Sequence, residues 1–269
     1  MSIKGIYTAM SGAIAQSQKI DTIANNIANA STPAFKRDEQ VFKEYLTSYE
    51  QASQELNVPK VPASMESFYD TQGSERTPVA NVGTFTDHSQ GSFKTTGNPL
   101  DLAINGNGYF EVLTPRGVRL TRAGAFRVDQ DGRLVTRNGD LVLQRAEGTN
   151  EPQGREVRLT NSPVTIDNSG QIIQDGEPLA TLSVVNVVEP TQLRKEGQLL
   201  YMPPEAANIL NAPGGYTVQQ GTLELSNVEV IKEMSDLIQA HRVFDTNQRA
   251  VKAYDAMSEK IANTIPRLD

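Results

Sequence analysis

Cysteine is absent from this 269-residue chain, and histidine occurs only twice. Without Cys there is no disulfide, no thiolate metal site and no cysteine nucleophile. Long apolar runs are missing too, and no window approaches the ~18 apolar residues of a membrane span. Residues 1–30 hold no apolar block of secretory-signal length, because Gly5, Gly12, Gln16, Gln18, Lys19 and Asp21 interrupt them. Recognisable catalytic arrangements are absent as well. There is no P-loop and no nucleophile elbow. Gly106-Asn107-Gly108 lacks the third Gly and the following helix of a dinucleotide fingerprint. Asp129-Gln130-Asp131-Gly132 lacks the further ligands of a calcium loop and reads as a hairpin turn. Asn29-Ala30-Ser31 fits a glycosylation acceptor, but nothing routes the chain through a pathway that would use it. We therefore assign no catalytic, cofactor-binding or metal-ligating residue and expect no enzyme.

Strong positive charge is also lacking. The net charge is −7; residues 1–37 carry +3 and residues 226–269 carry −1, which leaves −9 for the middle. A body this acidic is a poor nucleic-acid binder, since phosphate contacts need clustered Lys and Arg. Near-neutral ends on an acidic body suggest buried ends and a solvated body.

What the chain does have is two helices built to pair. Ile3, Ile6, Met10, Ala13, Ser17, Ile20, Ala24 and Ile27 follow at alternating steps of three and four. That is the a/d seam of a coiled coil, on a helix expected over about residues 4–29. Ser31-Thr32-Pro33 ends it. Asn25, Asn26 and Asn29 cluster in its last turns, either as a fraying end or as hydrogen-bonding groups at a neighbouring helix or subunit. Near the C-terminus, Val230, Leu237, Phe244 and Val251 fall seven apart, with Met234, His241, Gln248 and Tyr254 or Asp255 interleaved and Met257 and Ile261 beyond. Ser226 and Glu229 have the spacing of a capping box that would open this second helix.

Between the helices the signals are strand and turn. Asn105-Gly106 between Asp101–Ile104 and Tyr109–Leu113 is a strong hairpin signal. Asp131-Gly132 and Asn138-Gly139 mark two more, and His88 falls in a polar turn. The expected fold is α+β: long terminal helices pairing as a coiled coil, with an inserted all-β domain of short antiparallel strands. The expected division is helix 1–33, linker 34–80, β-rich domain 81–224 and helix 225–269. Ile6, Met10, Ile20, Asn25, Asn26, Ile27, Asn29, Met234, Leu237, His241, Phe244 and Val251 are the candidate subunit-interface residues.

Three stretches carry a resemblance. The first is Ile6-Tyr-Thr-Ala-Met-Ser-Gly12 with Ile23 to Phe35; the second is Leu102 to Phe110 with Thr121-Arg-Ala-Gly124. The third is Leu223 to Val228 with Glu233-Met234 and Ile238 to Arg242. In this order they resemble the signatures of bacterial flagellar rod and hook proteins across nearly the whole chain. The opening and the Ser-Thr-Pro turn look most like the proximal-rod, FlgF-type branch, with the distal-rod, FlgG-type branch close behind. Ala34 stands where that family usually has Gly, which leaves the geometry of the chain reversal open. The resemblance implies a structural subunit of the basal-body rod, exported without a cleaved signal. Its partners would be itself, other rod subunits, the export apparatus and surrounding rings, with no nucleic acid, no membrane insertion and no cofactor. Its helices would line a tube and its β domain would form the outer layer. The competing class is an acidic β-domain binding module dimerised by its terminal helices.

Overall fold

The computed structural model describes residues 3–44, 79–146, 152–160, 162–197, 199–203, 209–211 and 215–264. Most of the expected linker, and the Pro204 and Pro213-Gly214 loop signals, lie outside them. The chain is α+β and divides into two units. One comprises Met1–Ile27, Asp38–Phe85 and Val230–Asp269; the other comprises Ala28–Arg37 and Thr86–Glu229.

The first unit holds helices α1 (Ile3–Ala28) and α2 (Val230–Thr264) and the paired strands β1 (Asp38–Glu44) and β2 (Val79–Thr86). Glycines mark where the helices approach. A methyl added at Gly5 would lie 3.0 Å from the Tyr254 hydroxyl, and one at Gly12 would lie 3.1 Å from Asn247 Nδ2. Further along, Asn26 Nδ2 donates to Glu233 Oε2 at 3.3 Å. In all three pairs the residue numbers sum to 259, so the two chains run antiparallel with one register.

The face turned inward differs from the expected seam. Ala15, Ile23 and Asn26 are the deeply buried positions of α1, while Met10 and Ala24 are exposed and Ile6, Ile20 and Ile27 are half-buried. On α2, Leu237, Phe244 and Val251 are half-buried as the spacing suggests, but Met234, His241 and Gln248 are exposed. Glu233 and Ala240 are buried instead. The reason is steric and polar. Small side chains let two backbones approach closely, and Asn26 meets Glu233 on this face. Most of the bulky seam residues of α1 are rotated about 100° away, one residue's turn of an α-helix, while Ile23 is buried.

The second unit is β. Its main sheet runs β14 (Arg194–Glu196), β15 (Leu200–Met202), β6 (Gly117–Thr121), β5 (Tyr109–Thr114), β9 (Leu141–Val142), β8 (Leu134–Thr136), β7 (Phe126–Val128). Off that path, β13 (Val184–Val187) pairs with both β5 and β16 (Ile209–Asn211). A second sheet stacks β10 (Val164–Ile166), β11 (Gln171–Gln174) and β12 (Glu177–Thr181). Two pairs join distant parts of the chain: β4 (Leu102–Gly106) with β17 (Tyr216–Gln220), and β3 (Phe93–Thr95) with β18 (Thr222–Glu224).

The turns at Asp131-Gly132 and Asn138-Gly139 join β7 to β8 and β8 to β9 as expected. Asn105-Gly106 does not make a hairpin. β4 pairs with β17, not with β5, because the chain leaves one sheet at Gly106 and enters another at Tyr109. Gly106 sits at φ +100°, and a Cβ there would meet the Gly215 carbonyl at 2.5 Å. Positive φ was the correct inference from that dipeptide; local pairing was not.

Alternation along β5 sets two cores. Phe110 and Val112 enter a cluster with Leu102, Ile104, Phe126 and Leu182. Tyr109, on the opposite face, joins Leu120, Val185, Val187 and Tyr201. Each such fully buried side chain contributes about 1.5–3 kcal/mol.

Candidate functional site: a buried ionic clasp

Within the second unit, three separated stretches converge on one carboxylate. α1 ends at Ala28, and the chain turns as Thr32 N–H donates to the Asn29 carbonyl at 3.0 Å. Pro33 forbids continuation. Ala34 then adopts φ +60°, so the left-handed geometry is present even though the residue is not Gly. That conformation costs an L-residue roughly 1–2 kcal/mol. The turn holds because Ala34 N–H donates to the Glu224 carbonyl at 2.8 Å. It aims Phe35 and Lys36 inward, both about 1% exposed.

Lys36 Nζ lies 2.6 Å from Glu224 Oε1 and donates to the Ser89 carbonyl at 2.6 Å. Gly91 N–H also donates to Glu224 Oε1, at 3.1 Å. Arg122 reaches Glu224 Oε2 from the other side at 3.5 Å. Its guanidinium donates to the Gly106 carbonyl at 2.8 Å and the Ile104 carbonyl at 3.2 Å, and stacks over the Tyr109 ring. Lys195 covers the Phe35 ring at 4.1 Å and donates to the Lys36 carbonyl at 3.0 Å.

Asn227 completes the arrangement. Its Oδ1 accepts from Arg37 N–H at 2.8 Å, and its Nδ2 donates to the Asp87 carbonyl at 2.9 Å and to Ser89 Oγ at 3.0 Å. One amide thus ties residues 37, 87 and 227. These bonds explain why no capping box forms. They hold the chain extended, α2 begins only at Val230, and Ser226 Oγ accepts from Val228 N–H at 3.2 Å.

His88 is not the polar-turn residue expected. Its ring packs on Tyr201, with Nδ1 3.0 Å from the Tyr109 hydroxyl. Burial, aided by the nearby charges of Lys36 and Arg122, lowers its pKa to about 4. Burial raises that of Tyr109 to about 12. Burial also lowers that of Lys36, with the Glu224 charge working against it. At neutral pH His88 and Tyr109 are therefore both uncharged. The cluster has the properties of a fastening.

Sequence reasoning placed none of Lys36, Arg122, Glu224 and Asn227 here. The available signal was one charged or amide residue inside each otherwise apolar or small-residue motif. Of the interface candidates, Met10, Asn25, Met234 and His241 are exposed. Asn26 and Asn29 are buried. Asn26 exchanges both backbone bonds of Asp38, and Asn29 Oδ1 accepts from the Thr32 hydroxyl. Among the described residues no group of acidic or His side chains could hold a metal ion.

A domain fastened this way, in a chain that also carries two long helices, has the build of a structural protein. Three family models match in sequence order. "Flagella basal body rod protein" covers residues 6–36, "Flagellar hook protein FlgE/F/G D1 domain" covers 103–174, and "Flagellar basal body rod FlgEFG protein C-terminal" covers 219–264. Each contains one arm of the clasp: Lys36, Arg122, and Glu224 with Asn227. The flagellar basal-body rod protein FlgG of Buchnera aphidicola (subsp. Baizongia pistaciae) is 32% identical over 270 residues, covering 97% of this chain and 99% of the relative. That of Bacillus subtilis is 30% identical over 272 residues, covering 97% and 98%. The flagellar hook-basal body complex protein FlhO of Bacillus subtilis is 28% identical over 296 residues, covering 99% and 100%. The chain belongs to the flagellar basal-body rod protein family, whose members are structural components of the rod.

Breaking one side of a buried ion cluster leaves charge stranded, at about 3–5 kcal/mol. Glu224→Leu, which strands two cations, should lower unfolding free energy by that amount, and Lys36→Met by less, because Arg122 still faces the carboxylate. Arg116 forms an exposed pair with Glu196, and Arg116→Ala should leave the midpoint unchanged. Urea unfolding read by tyrosine fluorescence suits a chain without Trp. Equal effects for Glu224→Leu and Arg116→Ala would refute the clasp.

The pH dependence follows from His88. Its folded pKa lies below the unfolded value of about 6.5, so the unfolded state binds more protons between the two. Stability from this residue is fully present above pH 6.5 and declines as pH falls toward 4. His88→Gln should flatten the loss of melting temperature between pH 7 and pH 5, and an unchanged slope would show that His88 does not titrate in that window.

Proposed function

We propose that the chain is a subunit of the bacterial flagellar rod. It polymerises into a helical tube that carries torque from motor to hook and encloses the export channel. The observation that carries this reading is the apolar surface that the helices leave outside. Tyr7, Met10 and Ile14 on α1 are more than half exposed, and so are Met234 and Ile238 on α2; Ile231 is 88% exposed. A monomer gains nothing from such a face, whereas a packed assembly buries it. The coiling of α1 on α2 belongs to the same reading, as do the expected divisions at 33, 80 and 224. The clasp would hold the β domain as a rigid body while the helices engage neighbours.

The opening motif leans to the FlgF type, but the relatives described above that are 30% or more identical over nearly the whole length are named FlgG. Full-length likeness outweighs one short motif, so we read the subunit as FlgG-type, in the distal rod. Rod subunits, the export apparatus and the surrounding rings are its partners in this reading, and it reaches the rod across the periplasm without a cleaved signal. No helix of the described residues is long and apolar enough to cross a membrane.

Met10→Asp and Ile238→Asp test the assembly face. A charge buried without a partner costs several kcal/mol. Both variants should be exported and fold their β unit with an unchanged tyrosine-fluorescence midpoint, yet stop rod growth and abolish swimming. Normal basal bodies with either substitution would remove this face from assembly.

A further inference from the structure

The chain has no cysteine, so its six methionines hold all of its sulfur. Met1 and Met65 lie outside the described residues. The other four, Met10, Met202, Met234 and Met257, are all at least 40% exposed, and none belongs to either buried cluster. Methionine ordinarily fills gaps in a core. Here it faces water, where a hydroperoxide reaches the thioether sulfur with no thiolate to consume it first.

Two of the four occupy equivalent places. On α1, Met10 is the middle of Tyr7, Met10 and Ile14; on α2, Met234 is the middle of Ile231, Met234 and Ile238. Both triads step by three and then four, so each forms a single stripe along its helix, and all six side chains are exposed. Met257 and Met202 lack this setting. Tyr254, three residues before Met257, lies against Gly5, and Met202 stands on β15 of the second unit. Oxidation at the middle position changes the whole stripe. The sulfur lone pair attacks one oxygen of hydrogen peroxide; an S–O bond forms and the O–O bond breaks. Sulfur is oxidised by two electrons, and the departing hydroxide takes the proton of the transferred oxygen and becomes water. The product is a sulfoxide, whose polar S–O group needs a hydrogen bond that an apolar contact does not supply.

We propose that Met10 and Met234 are a paired modification site, at which a hydroperoxide converts the subunit into a form barred from assembly. The proposal rests on the assembly reading above, in which both stripes are buried against neighbours. Hydrogen peroxide is the probe. In the purified full-length chain it should add one oxygen at Met10 and one at Met234, read by peptide mass spectrometry, at rates close to that of free methionine. Rates orders of magnitude slower overturn the site. In cells without their own copy of the gene, Met10→Leu with Met234→Leu keeps both stripes apolar and removes both sulfurs. Met10→Gln with Met234→Gln puts a polar amide where the sulfoxide would stand. Rods are counted with and without sublethal hydrogen peroxide, each variant against its own peroxide-free count. Peroxide should cut completed rods of the parent roughly tenfold, the scale of one apolar side chain lost from a packed face, and should cut those of the Leu pair not at all. The Gln pair should be short of rods with no peroxide present. Equal losses from the Leu pair and the parent, or normal rods from the Gln pair, overturn the site. If the Leu pair assembles poorly by itself, parent rods isolated from peroxide-grown cells decide. Sulfoxide at Met10 and Met234 as abundant in them as in unassembled subunits overturns the site as well. Each of these failures leaves the assembly reading standing while Met10→Asp and Ile238→Asp still stop rod growth; normal basal bodies from those two remove the reading and the site together.

Discussion

The carboxylate of Glu224 is the point on which the second unit depends. It lies between Lys36 and Arg122 and accepts Gly91 N–H, so it binds groups separated by 188, 102 and 133 residues of chain. Such an interaction gives little net stability beyond an apolar equivalent, because desolvating three charges nearly cancels their attraction. Its effect is on uniqueness: an alternative packing that leaves any one of these charges alone is heavily penalised. The clasp is also non-local. β3 pairs with β18 and β4 with β17, so the residues that enter and leave the β unit are neighbours in space. Loop closure of this length is a slow event in folding. The unit is complete only when residues near 224 have arrived.

The helices follow a different physical rule. Where they approach, Gly5 and Gly12 face Tyr254 and Asn247 and Asn26 meets Glu233, while Tyr7, Met10, Ile14, Ile231, Met234 and Ile238 remain outside. In a monomeric protein that distribution would be inverted. In an assembling subunit it gives each helix two faces, one closed within the chain and one reserved for a neighbour. Membership of the rod family supplies the context in which an exposed Ile231 or Met10 is useful rather than hazardous.

Much of this was legible in the sequence. Long helices at both ends, short strands between, and the turns at Asn138-Gly139 and Asp131-Gly132 all follow from local pattern. The three motifs that carry the family resemblance are the three that build the clasp. What stayed hidden was of three kinds. Spacing alone could not choose between two stripes about 100° apart on α1, because steps of three and four fit both. The choice depended on how closely two backbones approach, which Gly5 and Gly12 decide only in three dimensions. Long-range pairing was hidden as well. Asn105-Gly106 announces positive φ, but the partner of β4 lies more than a hundred residues away. Ala34 is a third case, where a non-glycine residue holds a left-handed turn because the Glu224 carbonyl binds its N–H.

Amide hydrogen exchange of the full-length protein tests the central claim most directly. If the clasp and the β core are one cooperative body, the N–H groups of Ala34, Gly91 and Leu225 exchange only when the core opens, as slowly as those of Glu111 and Leu143 in the central sheet. Exchange of Ala34 and Gly91 orders of magnitude faster, with Glu111 and Leu143 still protected, would show that the chain ends detach freely and that Glu224 holds nothing together.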